Sequence, residues 1–169
     1  METGKRTVAF KLKAGIENVE KPTGYDVSIW KPSLVQIYPP NKSFKYIIYW
    51  LFHWLKVFRN KSYASGMILD GDKIVSSLLV VPTHFKWPFM GKDDVQFTYV
   101  MTNPEYRGKG LAKKMIQIMI SELNDSVDSF WYVTDTENKA SISVAEKLGF
   151  EFVGYAERKG LLRILKLKH

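Results

Sequence analysis

The chain has 169 residues, of which 46% are hydrophobic, 25% charged and 14% aromatic, and its formal net charge is +8. This length and composition predict a single folded domain and exclude a disordered chain. The absence of cysteine excludes disulfides, thiolate metal sites and cysteine nucleophiles, and residues 1–13 lack the apolar stretch of a signal peptide. We therefore expect a cytoplasmic protein whose charge favours anionic partners, such as nucleotides, coenzymes, nucleic acid or acidic lipid.

The first part of the chain predicts two short strands and one helix. Alternating apolar residues predict strands at 7–13 and 25–30, and a loop through Pro39 and Pro40 follows. The run FKYIIYWLFHWLKVF at 44–58 predicts a helix too short to span a membrane, which takes about 20 apolar residues. A helix lying in a membrane interface would show a broad charged face, which this run lacks. We expect a core helix that is apolar nearly all round, with some of its rings facing a cleft of the domain: Tyr46, Tyr49, Trp50, His53 and Trp54.

The rest of the chain alternates predicted strands and helices. Two strand-like runs, 63–69 and 73–81, are joined by Asp70-Gly71-Asp72, which is a hairpin signal. Further strands are predicted at 95–102, 129–135, 150–158 and 161–168, and helices at 111–123 and 138–149. The last two strands are expected to pair through a turn at Lys159-Gly160. This order predicts an α/β (α+β) fold in which helices cover both faces of a central, mostly antiparallel mixed sheet.

The stretch NPEYRGKGLAKKM, 103–115, places two glycines and an arginine between a predicted strand and a predicted helix. Glycines let backbone N–H groups approach a phosphate, and the first N–H groups of a helix have no internal partners and carry partial positive charge. The spacing excludes the P-loop, because Lys109 alone separates the glycines and Leu111 follows them. The three-glycine dinucleotide fingerprint is also absent. By itself the stretch is equally well explained as a helix-initiating loop.

A second motif, NKASISVAEKLGF, lies at 138–150. Together with Arg107-x-x-Gly110-x-Ala112, it resembles the coenzyme A loop and the following Asn-bearing helix of the GCN5-related N-acetyltransferase (GNAT) superfamily, in the same order. The form of this motif with a serine at the fourth position, Ser141, is similar to that of one branch of the superfamily. This branch includes Rim-type ribosomal-protein N-terminal acetyltransferases and several small-molecule acetyltransferases.

The resemblance implies one GNAT domain over 1–169, with acceptor-side elements in 1–62 and the coenzyme A-binding core in 63–158. It implies acetyl-CoA as the cosubstrate. No metal is expected, because the three histidines are scattered along the chain. The backbone N–H groups around Val100 to Thr102 are expected to stabilise the developing oxyanion. The coenzyme contacts that the resemblance implies are Val100, Met101, Thr102, Arg107, Gly108, Lys109, Gly110, Leu111, Ala112, Asn138 and Ser141.

Attack of an amine on a thioester requires that a proton be removed, because an alkylammonium group has a pKa near 10. In histone-type members of the superfamily a Glu stands thirteen residues before the loop arginine, and here that position holds Asp94. His84 is a second and weaker candidate base, because an imidazole titrates in the useful range. Many members carry a Tyr seven residues after the Asn, where this chain has Ala145. The alternatives are that Tyr132, Tyr155 or water acts as the acid, or that the thiolate leaves unprotonated.

The aromatic run at 44–58 suits an acceptor that contains rings or sugars. We therefore expect a small-molecule amine acceptor, such as a nucleotide-linked amino sugar. A Rim-type protein N-terminus and a catalytically silent coenzyme-binding domain are the alternatives. No nucleic acid partner is expected, because net charge without a basic stripe is a weak indication. The sequence indicates no oligomeric state.

Overall fold

The computed structural model describes residues 6–15, 19–37, 44–159 and 164–168. The elements follow the predicted order, with boundaries that differ by a few residues. They are β1 (Thr7–Lys13), β2 (Asp26–Trp30), α1 (Phe44–Trp54), β3 (Ala64–Asp70), β4 (Lys73–Pro82), β5 (Asp94–Thr102), a 3-10 turn (Pro104–Tyr106), α2 (Leu111–Leu123), β6 (Ser129–Asp135), α3 (Lys139–Lys147), β7 (Glu151–Lys159) and β8 (Ile164–Lys168). The predicted turn between the last two strands includes Gly160, which lies outside the described residues.

All eight strands form one sheet, in the order β2-β3-β4-β5-β6-β1-β7-β8. Neighbouring strands are antiparallel except β5 and β6, which run parallel. The fold class predicted from the sequence is therefore confirmed. The first strand is inserted deep in the second half of the sheet, where the Thr7 hydroxyl donates a hydrogen bond of 2.7 Å to the carbonyl of Ala156.

The larger core lies on the sheet face that α2 and α3 cover. One side of α2 is fully apolar and buried, and β3 approaches it so closely that a Cβ on Gly66 would lie 2.6 Å from Met115 Cε. Burying an aliphatic side chain contributes about 1.5–3 kcal/mol, so this helix face supplies much of the stability. Its buried residues are Leu111, Met115, Ile116, Ile118, Met119, Ile120 and Leu123.

The opposite face carries α1 over a second core that is rich in aromatic rings. Tyr46 is buried there with Trp30, Tyr63 and Trp131. The helix is apolar nearly all round, as expected, but the core does not enclose it, because Ile47, Leu51 and Trp54 on its outer side are 37% to 43% exposed. The helix forms an outer layer of the fold, and contact with the sheet requires only its inner side.

Asp94 is the centre of a buried polar cluster at the start of β5. Its carboxylate accepts hydrogen bonds from Trp131 Nε1 at 2.7 Å and from the Gly91 N–H at 2.8 Å, and Lys11 Nζ lies 3.8 Å away. Its carbonyl accepts a further bond from the Asn60 side chain at 3.1 Å. These contacts join two loops and the strands β1 and β6 to the start of β5.

Asp94→Asn is expected to lower the free energy of unfolding by about 1–3 kcal/mol, because all three partners contact one carboxylate oxygen, Oδ2, and a neutral amide oxygen in its place accepts weaker hydrogen bonds and does not pair with Lys11. The measurement is chemical denaturation. The matched control is Asp93→Asn, which should change stability by less than about 0.5 kcal/mol because that side chain is partly exposed. Equal losses in the two variants would contradict a structural role for the Asp94 carboxylate.

His84 is fully buried in the aromatic core beneath α1. Its ring centroid lies 4.3 Å from that of Trp87 and 5.6 Å from that of Phe52. Nδ1 lies 3.2 Å from the carbonyl of Pro82. Burial lowers the pKa of His84 to about 4, so the imidazole is neutral at pH 7.

The buried neutral His84 makes stability depend on acid. The unfolded chain binds a proton at this residue below about pH 6.5, whereas the folded chain does so only near pH 4. The free energy of unfolding should therefore fall by about 3 kcal/mol as the pH drops through this window. His84→Gln should flatten this dependence between pH 6.5 and 4 in denaturation curves, whereas His53→Gln, at a partly exposed position, should alter it less. An unchanged pH dependence in His84→Gln would contradict the assignment.

Candidate functional site

The parallel pair β5 and β6 separates partway along the sheet. The two strands are paired from Asp94 with Ser129 up to Phe97 with Tyr132. Beyond that point β5 continues beside β4, while β6 continues beside β1. The 98–102 part of β5 therefore has an edge that does not pair with β6. Backbone groups on such an edge are available to a ligand that lies between the strands.

Tyr99 marks the place where the strands separate. Its φ is 50°, a left-handed conformation that is rare for a bulky residue and costs about 1–3 kcal/mol. The register between β4 and β5 shifts beside it, between Ser77 and Leu79. Tyr99 could not be predicted as a site residue, because a tyrosine in this run is an ordinary strand residue and its φ leaves no sequence signal.

The loop after β5 is shaped by a capped turn and two glycines. The Asn103 side chain accepts a hydrogen bond from the Glu105 N–H at 3.4 Å and caps the 3-10 turn. Gly108 and Gly110 then have φ values of 78° and 72°, and added Cβ atoms would meet nothing within 4 Å. Glycine is therefore required here by backbone conformation and not by crowding, and the space above the loop is open.

The start of α2 faces this open space without a capping side chain. Gly110 occupies the N-cap position and has no side chain to accept from the first turn, and the first helical bond runs from the Lys114 N–H to the Gly110 carbonyl at 3.0 Å. The N–H groups before Lys114 have no partner within the helix, so the helix start concentrates partial positive charge. This arrangement suits an anion such as a phosphate.

Two basic side chains add full charges to the loop. Arg107 Nε donates to the carbonyl of Thr102 at 3.3 Å, which holds the exposed guanidinium beside the end of β5. Lys109 Nζ lies 4.8 Å from the centre of the Tyr106 ring. The Tyr106 hydroxyl in turn donates to Asp70 at 2.8 Å, which fixes the ring against the β3–β4 hairpin.

The start of α3 lies at the same edge of the sheet, because α3 follows β6 and the parallel strands β5 and β6 end at the same edge. Asn138 caps α3, and its side-chain oxygen accepts a bond from the Ser141 N–H at 3.1 Å. Burial raises the pKa of Tyr132, and a hydrogen bond with the Ser141 side chain partly offsets the rise. A buried, protonated phenol therefore lies next to the predicted coenzyme contact.

Aromatic residues of α1 reach the same point from the other face. The ring of Tyr99 lies 6.3 Å from that of Tyr46 and 6.2 Å from that of Tyr49. Burial raises the pKa of Tyr46, so its hydroxyl stays protonated at neutral pH. The predicted acceptor side and the strained part of β5 are therefore adjacent.

The structure brings together one part of the predicted site and leaves another apart. Val100, Met101 and Thr102 lead into the loop 107–112, and Asn138 with Ser141 lie at the same sheet edge. Asp94 begins the strand, and at about 3.3 Å per residue it lies about 26 Å from Thr102 along β5. His84 is buried under α1, away from the loop.

Comparison with known proteins identifies the fold and the family. The model of the acetyltransferase (GNAT) family matches residues 29–150. No curated protein matches the sequence.

Solved structures with this fold are similar at low sequence identity. A GCN5-related N-acetyltransferase from Sphaerobacter thermophilus is 15% identical with a TM-score of 0.60, over 90% of this chain and 50% of that chain. A GCN5-related N-acetyltransferase from Kribbella flavida is 15% identical with a TM-score of 0.54, over 95% of this chain and 61% of that chain. A tandem GNAT protein from the clavulanic acid biosynthesis pathway is 12% identical with a TM-score of 0.61, over 89% of this chain and 51% of that chain. The chain thus spans between 50% and 61% of the length of these structures.

The family match extends from the second strand to the end of α3 and so includes the separated strands, the glycine loop and the Asn-capped helix. The chain therefore belongs to the GNAT family of acetyltransferases, whose members are acyl-CoA-dependent N-acetyltransferases.

Proposed function

We propose that this chain transfers the acetyl group of acetyl-CoA to a primary amine. The observation that carries the proposal is the convergence of the uncapped start of α2, the capped start of α3 and the open edge of β5 at one place. The proposed pyrophosphate site is the backbone of 107–112, with Arg107 and Lys109 supplying charge. The proposed contacts for the pantetheine arm are Asn138, Ser141 and the edge of β5.

Placement of the thioester carbonyl beside Val100 to Thr102 would lower the barrier of the reaction in two ways. The N–H groups of this edge that do not pair with β4 would donate to the oxygen that becomes negative during attack. Holding the amine in line with the carbonyl lowers the barrier further, because two positioned reactants avoid the entropic cost of meeting.

The proton of the attacking amine leaves, in this proposal, through water in the gap between β5 and β6. The hydrogen bonds of Asp94 and the burial of His84 favour structural roles for these two candidate bases. Tyr132, which is buried against Ser141, is the phenol best positioned to protonate the departing thiolate in place of the residue that Ala145 replaces.

The acceptor we propose is a small amine that carries a ring, such as a nucleotide-linked amino sugar. The rings of Tyr49 and Tyr99 support this choice, because both are partly exposed and they lie 6.2 Å apart at the strained part of β5, beside the buried Tyr46. Aromatic faces stack well on sugars and bases.

Gly110→Asp is expected to weaken the binding of CoA by about a hundredfold. The substitution forces a side chain into a left-handed conformation and sets a negative charge at the helix start, which together cost about 3 kcal/mol of binding free energy. Isothermal titration calorimetry with CoA measures the effect.

The matched control for this variant is Gly149→Asp. Gly149 has a φ of 80° and equally open surroundings, but it follows the far end of α3. Its substitution should destabilise the fold to a similar degree and leave CoA affinity within about threefold of the parent. An unchanged affinity in Gly110→Asp would reject the loop as the coenzyme site.

A panel of candidate acceptors tests which class of amine receives the acetyl group. The chain has no cysteine, so a thiol reagent reports free CoA without background from the protein. We expect CoA release with at least one nucleotide-linked amino sugar. Release with a peptide N-terminus and with none of the sugars would instead support the protein-directed alternative.

Tyr49→Ala tests the aromatic surface. Loss of a stacking face should raise the KM for the acceptor by about tenfold and leave the Kd for CoA unchanged, because a stacked ring contributes about 1 kcal/mol or more. The control is Phe152→Ala, which removes a 56% exposed ring on β7 and should change neither constant. An unaltered acceptor KM in Tyr49→Ala would remove this helix from the acceptor site.

A further inference from the structure

The outer side of α1 is an exposed apolar surface. Every residue on this side is hydrophobic, and the helix carries no acidic residue. The exposed fractions are 37% for Ile47, 43% for Leu51, 40% for Trp54 and 71% for Leu55, which directly follows the helix. Clusters of exposed apolar side chains on a folded protein commonly mark a surface that contacts something else.

The surface continues from α1 into two neighbouring segments. Trp50 Nε1 donates to the carbonyl of Ile37 at 2.6 Å, which attaches the 33–37 loop to the helix. In that loop Leu34 is 85% exposed and Val35 is 94% exposed. On the other side the ring of Phe85, 43% exposed, lies 6.0 Å from that of Phe52 on α1. We call this set, from the 33–37 loop through Ile47, Leu51, Trp54 and Leu55 to Phe85, the apolar surface.

The segment that carries most of this surface has an unusual charge. Residues 27–69 contain no Asp or Glu, and their charged side chains are Lys31, Lys42, Lys45, Lys56, Arg59 and Lys61. Lys31 is paired with Glu122 at 2.8 Å. The other described members, Lys56, Arg59 and Lys61, are exposed.

These exposed cations lie beside the apolar surface. Lys56 follows Leu55, and the Arg59 N–H donates to the carbonyl of Thr83, two residues from Phe85. Lys86 Nζ lies 5.9 Å from the centre of the Phe85 ring. The sequence of α1 contains one lysine, Lys45, and the exposed cations that a membrane-surface helix requires are supplied by the residues that follow it.

We propose that the apolar surface docks on an anionic lipid bilayer. Apolar side chains with an exposed tryptophan enter the boundary between headgroups and acyl chains, and nearby lysine and arginine side chains bind acidic headgroups. A second copy of the chain is disfavoured, because a twofold contact through this surface would bring two sets of cations together without an intervening acid. No helix in the described ranges has the length and apolarity to cross a bilayer, so contact is peripheral.

Vesicle co-sedimentation of the full chain tests the proposal. We expect binding to phosphatidylcholine vesicles that contain phosphatidylglycerol, at least about tenfold tighter than to phosphatidylcholine alone, and weaker binding at high salt. Lys56→Gln/Arg59→Gln/Lys61→Gln should lower binding by about a hundredfold, because each basic residue near the surface contributes about fivefold. Leu51→Ser/Leu55→Ser should also lower binding. The blue shift of tryptophan emission on vesicle binding should be smaller in this variant than in the parent.

The matched control is Lys21→Gln/Lys147→Gln/Lys166→Gln, which removes the same charge at exposed sites elsewhere. It should retain binding within about threefold of the parent, since distant charges act weakly through screening solvent. Calorimetry with CoA on each variant verifies that the fold is intact.

Three results would overturn the proposal. The first is an equal loss of vesicle binding in the two triple variants, which would attribute the attraction to net charge alone. The second is equal binding to neutral and anionic vesicles, or no binding to either. The third is a dimer in solution that Leu51→Ser/Leu55→Ser dissociates, which would assign the apolar surface to a second copy of the chain.

Discussion

The ladder that joins β5 to β6 ends between Phe97 and Thr98, and the geometry of the whole site follows from that break. Each strand continues beside a different antiparallel partner, β4 for one and β1 for the other, so the gap is held open from both sides. A ligand in the gap can take the place of the missing strand. The left-handed Tyr99 is the conformational cost of redirecting β5 at this point.

The two faces of the sheet contribute in different ways. The face under α2 and α3 is a close-packed aliphatic core, and it fixes where the two helices begin, which is where an anion would be held. The face under α1 contains rings, hydroxyls and one neutral histidine. Its packing positions Tyr46 and Tyr49 against Tyr99, so the proposed acceptor side depends on aromatic contacts, whereas the proposed coenzyme side depends on backbone geometry.

Much of the fold could be predicted from the sequence, because its signals are local. Alternation of Val8, Phe10 and Leu12 predicted β1, and helical spacing of Leu111 and Met115 predicted α2. The family match also confirms the resemblance that the glycine loop and the Asn-bearing helix suggested.

The features that could not be predicted depend on contacts between distant residues. The surroundings of Asp94 include Trp131, Lys11 and Asn60, which are far apart in the chain, so its burial and its hydrogen bonds could not be foreseen. The exposure of Leu51 and Leu55 was also missed, because an apolar pattern does not reveal how many layers cover a helix. The φ of Tyr99 has no local signal at all.

The position of β1 has a consequence for how the chain reaches this fold. Residues 7–13 pair with residues 129–135 on one side and with 151–156 on the other. A ribosome makes this strand well before either partner, so both of its edges stay unpaired until most of the chain has emerged. Such long-range pairing slows folding and exposes strand edges to aggregation. Completion of the sheet is thus a late event, and the gap between β5 and β6 should acquire its final shape last, because β6 is paired with β1 along its other edge.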